Sequence, residues 1–200
     1  MSNGYKGLVF VISGPSGVGK GSVIKEIRKK YPQFVYPISV TTRAMRPGEE
    51  DGKSYFFVSK EDFERGIEEG AFLEYALVHG LNFYGTLKKP IEDALKVGKV
   101  VVREVDVQGA MSYKELLPAD HVKLIFIKAK DKNTLITRIA KRGELPMNEV
   151  EKRMESAAHE NELSEEFDFR VLNAEGELMD CVDKVENYML EEIEKMGIAI

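Results

Sequence analysis

Residues 8–22, LVFVISGPSGVGKGS, constrain the fold more than any other stretch of the chain. The first six form an unbroken β-branched, aliphatic and aromatic run closed by a serine, which suits a strand buried on both faces and hence a parallel sheet. KGSVIKEIRKK then places Val23, Ile24 and Ile27 at helical spacing. A strand, a glycine turn and a helix open a βαβ unit. Gly14, Gly19 and Lys20 fit G-x-x-x-x-G-K, the phosphate-cradling pattern of ATP-using enzymes. Small residues there let backbone N–H groups converge on phosphate oxygens, the helix offers its positive end, and the lysine adds a cation. Gly14, Pro15, Ser16, Gly17, Val18, Gly19, Lys20, Gly21 and Ser22 are therefore the candidate ATP-binding loop. Glycines alone leave a plain tight turn open as the alternative; the spacing to Lys20 favours phosphate. One position departs from the pattern. The hydroxyl that usually meets magnesium follows the lysine directly, whereas here Gly21 stands in that place and Ser22 comes one residue later.

The texture changes from about 34 to 90. YPISVTTR, YFFVS and FLEYALVHGLNFYGT read as short strands. Ser59 and Asp62 make a capping box for a short helix, and Gly98 closes a helix begun at LKKPIEDALK. Strands are then expected in KVVVREVDVQG, feeding a glycine turn, in VKLIFIKA and in FRVLN. LITRIAKRGELPMNEVEKRMESAAHENEL reads as helix broken at Gly143 and Pro146, and LMDCVDKVENYMLEEIEKM as a long amphipathic helix. Alternating strands and helices predict an α/β fold with a parallel sheet of about five strands covered on both faces.

The 200-residue chain carries a net charge of −5, which argues against a nucleic-acid partner. No apolar run approaches the about 20 residues of a membrane span, and the N-terminus lacks the pattern of a signal peptide. A single cysteine, Cys181, suits a reducing compartment, so the cytoplasm is the expected location. With His79, His121 and His159 scattered, no metal-ligand spacing appears, and the histidines read as surface or packing residues.

Several side chains invite chemical readings. Arg43 and Arg46, in a polar stretch with Pro47 and Gly48, can clamp a phosphate through forked hydrogen bonds, or simply sit in a solvated loop. Glu74 is a carboxylate in an apolar strand, suited to a base edge with adjacent N–H donors or to a solvent-facing edge. Glu104 and Asp106 close a strand on one side of it, where paired acids hold magnesium through water, orient a sugar hydroxyl or pair with lysines. Arg138 and Arg142 share a helical face, with Arg153 on the next helix; arginines of this kind commonly serve solubility.

From SVTTRAMRPGEEDGKSY at 39–55 onward, with the glycine loop before it, the sequence resembles guanylate kinases over about residues 7–190. The resemblance implies transfer of the γ-phosphoryl group of ATP to GMP, and to dGMP as well, with Mg²⁺ accompanying ATP, in purine nucleotide metabolism. It implies a P-loop core (about 5–33, 90–128 and 165–197), an inserted α+β GMP-binding subdomain (about 34–89) and a helical lid (about 129–164). By the same resemblance Arg43, Arg46, Tyr55 and Tyr84 grip the GMP phosphate. Glu74, with Ser39 and Thr86, reads guanine, and Asp106 lies near GMP. Lys20, Arg43, Arg138, Arg142 and Arg153 carry catalysis, Asn173 lies near the adenine of ATP, and Ser22 is the magnesium-side hydroxyl. Adenylate kinases carry the same G-K-G-Ser/Thr variant, so Gly21 does not by itself indicate a decayed loop. Two further departures stand out. HGLNFYG at 79–85 is one residue longer than the usual turn, and Arg103 occupies a strand position where relatives place an apolar residue, so it needs a buried partner. The alternatives are a non-catalytic guanylate-kinase-like binding module and a kinase for another nucleoside monophosphate. The sequence leaves the oligomeric state open.

Overall fold

The computed structural model describes residues 4–78, 80–131, 134–137 and 160–200. The apolar run becomes β1 (Leu8–Ser13), with all six residues buried. It is the second strand of a parallel sheet whose order is β6-β1-β7-β8, with β6 Val100–Glu104, β7 Val122–Lys128 and β8 Phe169–Leu172. Alternation along β1 splits the core in two. Leu8, Phe10 and Ile12 face α1 (Lys20–Lys30) and the C-terminal helix α5 (Leu178–Lys195), meeting Val23, Ile27, Val182, Val185 and Met189. Val9 and Val11 face α3 (Lys88–Lys96) and α4 (Val107–Leu116), meeting Ile91, Leu95, Ala110 and Tyr113. Each fully buried side chain of this kind contributes about 1.5–3 kcal/mol, and helices on both faces are why β1 needs no polar alternation. Cys181 is buried among the first set, as expected.

Among the described residues the parallel sheet has four strands, not about five. Val35 alone reaches the outer edge of β6, with its N–H on Val100 O at 2.8 Å and its carbonyl accepting from Val102. Pro37, two residues on, has no N–H to continue the ladder. The strand expected across 36–43 shrinks accordingly to β2 (Val40–Thr41), and the one in YFFVS to β3 (Phe56–Phe57). The glycine turn expected at 109 is instead the first turn of α4: Asp106 caps that helix, its carboxylate accepting from Gly109 N at 2.7 Å.

A second sheet, ordered β3-β2-β5-β4, holds the hairpin β4 (Phe72–Val78) and β5 (Asn82–Leu87). Phe63 of α2 (Lys60–Glu68) stacks on Phe72 and Phe83 and pins this helix to the sheet. α2 begins as expected: Ser59 is the N-cap, and its Oγ accepts from Asp62 N at 3.0 Å. Ser59→Ala should lower stability by about 1 kcal/mol, the usual cost of an orphaned first-turn N–H. Urea unfolding with an unchanged slope checks this, and an unshifted midpoint contradicts it. The hairpin ladder pairs Glu74 with Thr86 and Ala76 with Tyr84, with an irregularity between Phe72 and Glu74. His121 is buried rather than superficial, with Nδ1 2.8 Å from Gly7 O. His79 and His159 lie outside the described residues.

Candidate active site

The glycine loop leaves the C-terminal end of β1 and runs into α1. Gly14 and Gly19 have φ of 138° and 101°, a region that disfavours side chains. Packing reinforces both choices: a Cβ on Gly14 would meet Ile127 O at 2.3 Å, and one on Gly19 would meet Asn173 Nδ2 at 2.6 Å. The first turn of α1 carries no acidic residue, so its positive end stays available to an anion. Lys20 curls over the loop and donates from Nζ to Gly14 O at 2.6 Å. Val18 is buried and turns its carbonyl to Asn173 Nδ2 at 2.7 Å. Asn173 is only 4% exposed. The structure thus places Asn173 as a brace behind the loop, a role that its spacing in the sequence did not suggest.

Two cavities flank Lys20. A smaller one of about 220 Å³ is lined by Gly14, Ser16, Gly17, Gly19 and Gly21 of the loop, with Glu160 opposite. A larger one of about 500 Å³ lies between α1, the end of β6 and the segments 36–39 and 53–55, with Arg28, Ser39, Lys53 and Tyr55 in its wall. Lys20, Glu104 and Asp106 belong to both walls. Both acids are exposed, and a Cβ on Gly21 would sit 3.4 Å from Glu104 Oε2.

Beyond the larger cavity lies a cationic cluster. Arg43 donates from Nε to Tyr84 Oη at 3.2 Å and from Nη2 to Glu49 Oε1 at 2.7 Å, and its guanidinium lies 5.5 Å from the Tyr55 ring centre. Glu49 also accepts from Arg46 N at 2.8 Å. The fork of Arg43, followed by the Arg46 N–H, holds the Glu49 carboxyl below its usual range. Burial pushes the Tyr55 phenol up. Glu49 escaped the sequence reading; an acid six residues after Arg43 in a turn rich in Pro and Gly was the available signal.

A second cluster surrounds Glu74. Thr86 Oγ1 donates to Glu74 Oε1, and Arg103 Nη2 lies 3.8 Å from that oxygen. Arg103 also donates from Nη2 to Ser39 Oγ at 2.7 Å and from Nη1 to Pro37 O at 3.0 Å, which supplies the partners its burial required. Burial raises the Glu74 carboxyl above its usual range, against the opposing pull of Thr86 and Arg103. The structure thus brings Ser39 and Glu74, the latter held by Thr86, to the Arg103 guanidinium, and Tyr55 and Tyr84 to that of Arg43. Arg46 sits exposed beside the second group, and Ser22 is exposed on the first turn of α1. Arg138, Arg142 and Arg153 lie outside the described residues.

A glycine loop with its lysine at the head of a helix, sharing a wall with a cavity flanked by paired arginine and carboxylate clusters, defines a P-loop phosphotransferase with a separate acceptor site. The sequence model of guanylate kinase matches residues 6–192. Guanylate kinase from Thermotoga maritima is 42% identical over 96% of this chain and 90% of its own length. That of Desulfitobacterium hafniense is 40% identical over 93% of this chain and 90% of its own. The crystal structure of guanylate kinase from Anaplasma phagocytophilum superposes with a TM-score of 0.72 at 31% identity, covering 94% of this chain and 87% of that one. This chain belongs to the guanylate kinase family.

Proposed function

We propose the following division of labour for ATP:GMP phosphoryl transfer, the activity of the family to which the chain belongs. The glycine loop holds the ATP phosphates with its backbone N–H groups and Lys20, and Asn173 keeps that loop in shape close to the adenine side. Arg43, Arg46, Tyr55 and Tyr84 hold the GMP phosphate, while Ser39, Glu74 and Thr86 take the base and Asp106 lies along the nucleotide. Arg138, Arg142 and Arg153 close over the transferring group from a lid at about 129–164. The segment 34–89 serves as the GMP subdomain of a single unit spanning 5–190. The observation that carries this reading is the shared wall: Lys20, Glu104 and Asp106 border both cavities, so donor and acceptor phosphates meet at one lysine.

The acceptor phosphate is already an anion and needs no strong base. Positioning and charge neutralisation do the work, and lid closure excludes water. The substrate donor is MgATP. Around the loop the donor set is oxygen only, which fits a hard cation. Ser22 and, through water, Glu104 and Asp106 would hold the ion that ATP brings. No group of three metal-binding side chains occurs among the described residues. A role in purine metabolism in the cytoplasm, with small nucleotides as partners rather than nucleic acid or membrane, is the setting proposed; the net charge of −5 and single cysteine support it. No helix among the described residues is long and apolar enough to cross a membrane.

The test is ADP formation from MgATP with GMP, dGMP, AMP, CMP or UMP as acceptor. Turnover is expected with GMP, and with AMP it should be lower by about 10⁴-fold in kcat/KM, since a site built on buried hydrogen-bonding groups rejects a base that leaves them unpaired. Equal use of AMP would refute the base pocket. GMP binding without any turnover would make the chain a binding module.

A further inference from the structure

We propose that Arg103 is a positioning residue that sets guanine specificity from behind the pocket wall, by fixing the direction of the Ser39 hydroxyl and holding Glu74 as the acceptor beside it. The inference rests on the reading of Ser39, Glu74 and Thr86 as the base pocket. Arg103 lies inside β6 and is 9% exposed. Its guanidinium has donors only. Because it donates to Ser39 Oγ at 2.7 Å, the Ser39 proton cannot point back at it. Toward the pocket, Ser39 is therefore a donor. Thr86 is in the opposite state: it spends its proton on Glu74, so its remaining capacity is to accept. Glu74 accepts as well.

The pocket consequently offers one donor, Ser39, beside one carboxylate acceptor, Glu74, which Thr86 holds from a fully buried position. The edge of guanine offers the complement: the O6 acceptor, then the N1–H and N2–H₂ donors. Adenine places an amino donor against Ser39 and a bare ring nitrogen against Glu74, a mismatch at both positions. Without Arg103, Ser39 is free to rotate and to accept from an amino group, and Glu74 loses its nearest cation in a buried setting. Arg103 also ties residues 37–39, which lead into the second sheet, to β6 of the core sheet.

The experiment measures steady-state kinetics of Arg103→Leu, Arg103→Lys, Ser39→Ala and the Arg103→Leu/Ser39→Ala double variant with GMP, IMP and AMP. IMP keeps O6 and N1–H but lacks the 2-amino group. In Arg103→Leu the KM for GMP should rise about 10- to 100-fold, the scale of one buried hydrogen-bonding link. The KM for IMP should rise by a similar factor, because the groups it shares with GMP are those facing Ser39 and Glu74. The values of kcat at saturation and of KM for ATP should stay within about twofold, and preference for GMP over AMP should fall. Ser39→Ala should cost less in the Arg103→Leu background than in the parent, the signature of residues acting through one another. Arg103→Lys, which keeps the cation but cannot span Pro37 and Ser39 together, should still raise the KM for GMP at least about threefold; this variant decides the matter if Arg103→Leu does not fold. An unchanged KM for GMP, a uniform loss of kcat with every acceptor, or strict additivity of the double variant would overturn the proposal. Absence of GMP turnover in the parent protein would instead sink the underlying reading of the pocket.

Discussion

Lys20→Ala should abolish most of the turnover, lowering kcat about 10²- to 10³-fold, the loss typical of removing one preorganised donor from developing negative charge. Geometry sets the size of the effect. Lys20 is the only cation among the described residues that borders both cavities, so a phosphoryl group in transit passes beside its ammonium. Its present bond to Gly14 O at 2.6 Å shows that the side chain can fold onto the loop and reach any phosphate cradled there. Spreading charge on the transferring oxygens gains more from that ammonium than ground-state ATP does, so kcat should fall more than KM for ATP rises. Lys20 is only half-buried, so the melting temperature should hardly move. Steady-state assays beside a thermal melt check both halves. Near-normal turnover would overturn the mechanism, and a large loss of melting temperature would reassign Lys20 to holding the loop together.

The parts that were legible in the sequence have local physical causes. The run LVFVIS needs apolar cover on both faces, so it could only be a central strand. Gly14 and Gly19 announce positive φ, and Ser59 with Asp62 announces a helix start. Where local signals conflict or partners are distant, the reading failed. α4 was overlooked because VQGAMSYKEL holds a glycine and little helical patterning; only Asp106, the cap, pointed to it. β2 and β3 are two residues each, and their parallel pairing is a long-range event without a periodic signature. Arg103 was visible as an anomaly, but its partners Pro37 and Ser39 lie 66 and 64 residues away in sequence. For the site, residue types and order were readable, whereas the hydrogen-bond directions that make donors and acceptors were not.

Glu74→Gln should separate activity from stability. Guanine needs an acceptor for two adjacent donors, and the amide of glutamine presents at best one acceptor and one clashing donor. The value of kcat/KM for GMP should fall about 10²- to 10³-fold, and the gap between GMP and AMP should narrow. The fold should not suffer. Burial raises the Glu74 carboxyl above its usual range despite Arg103 and Thr86, with Asp106 adding to the rise. A carboxyl raised in the folded state binds its proton more tightly there than in the unfolded chain, so its contribution to stability is present at low pH and is lost as pH rises through the folded value. At neutral pH the anion is thus a cost to the fold, and a neutral isostere should melt no lower than the parent. Recognition runs the other way: only the anion accepts both guanine donors, so KM for GMP in the parent should climb as pH falls through the raised Glu74 value. The GMP phosphate titrates near a pH of about 6 and adds its own acid limb. Glu74→Gln retains the phosphate limb and lacks the carboxyl one, so subtracting the two profiles isolates Glu74. Arg103 and Asp106 are the other charged groups acting on it, and both are present in the parent and in Glu74→Gln alike, so the subtraction leaves the Glu74 limb. Superimposable profiles would show that Glu74 does not read the base, and a depressed melting temperature would show that its charge supports the fold instead.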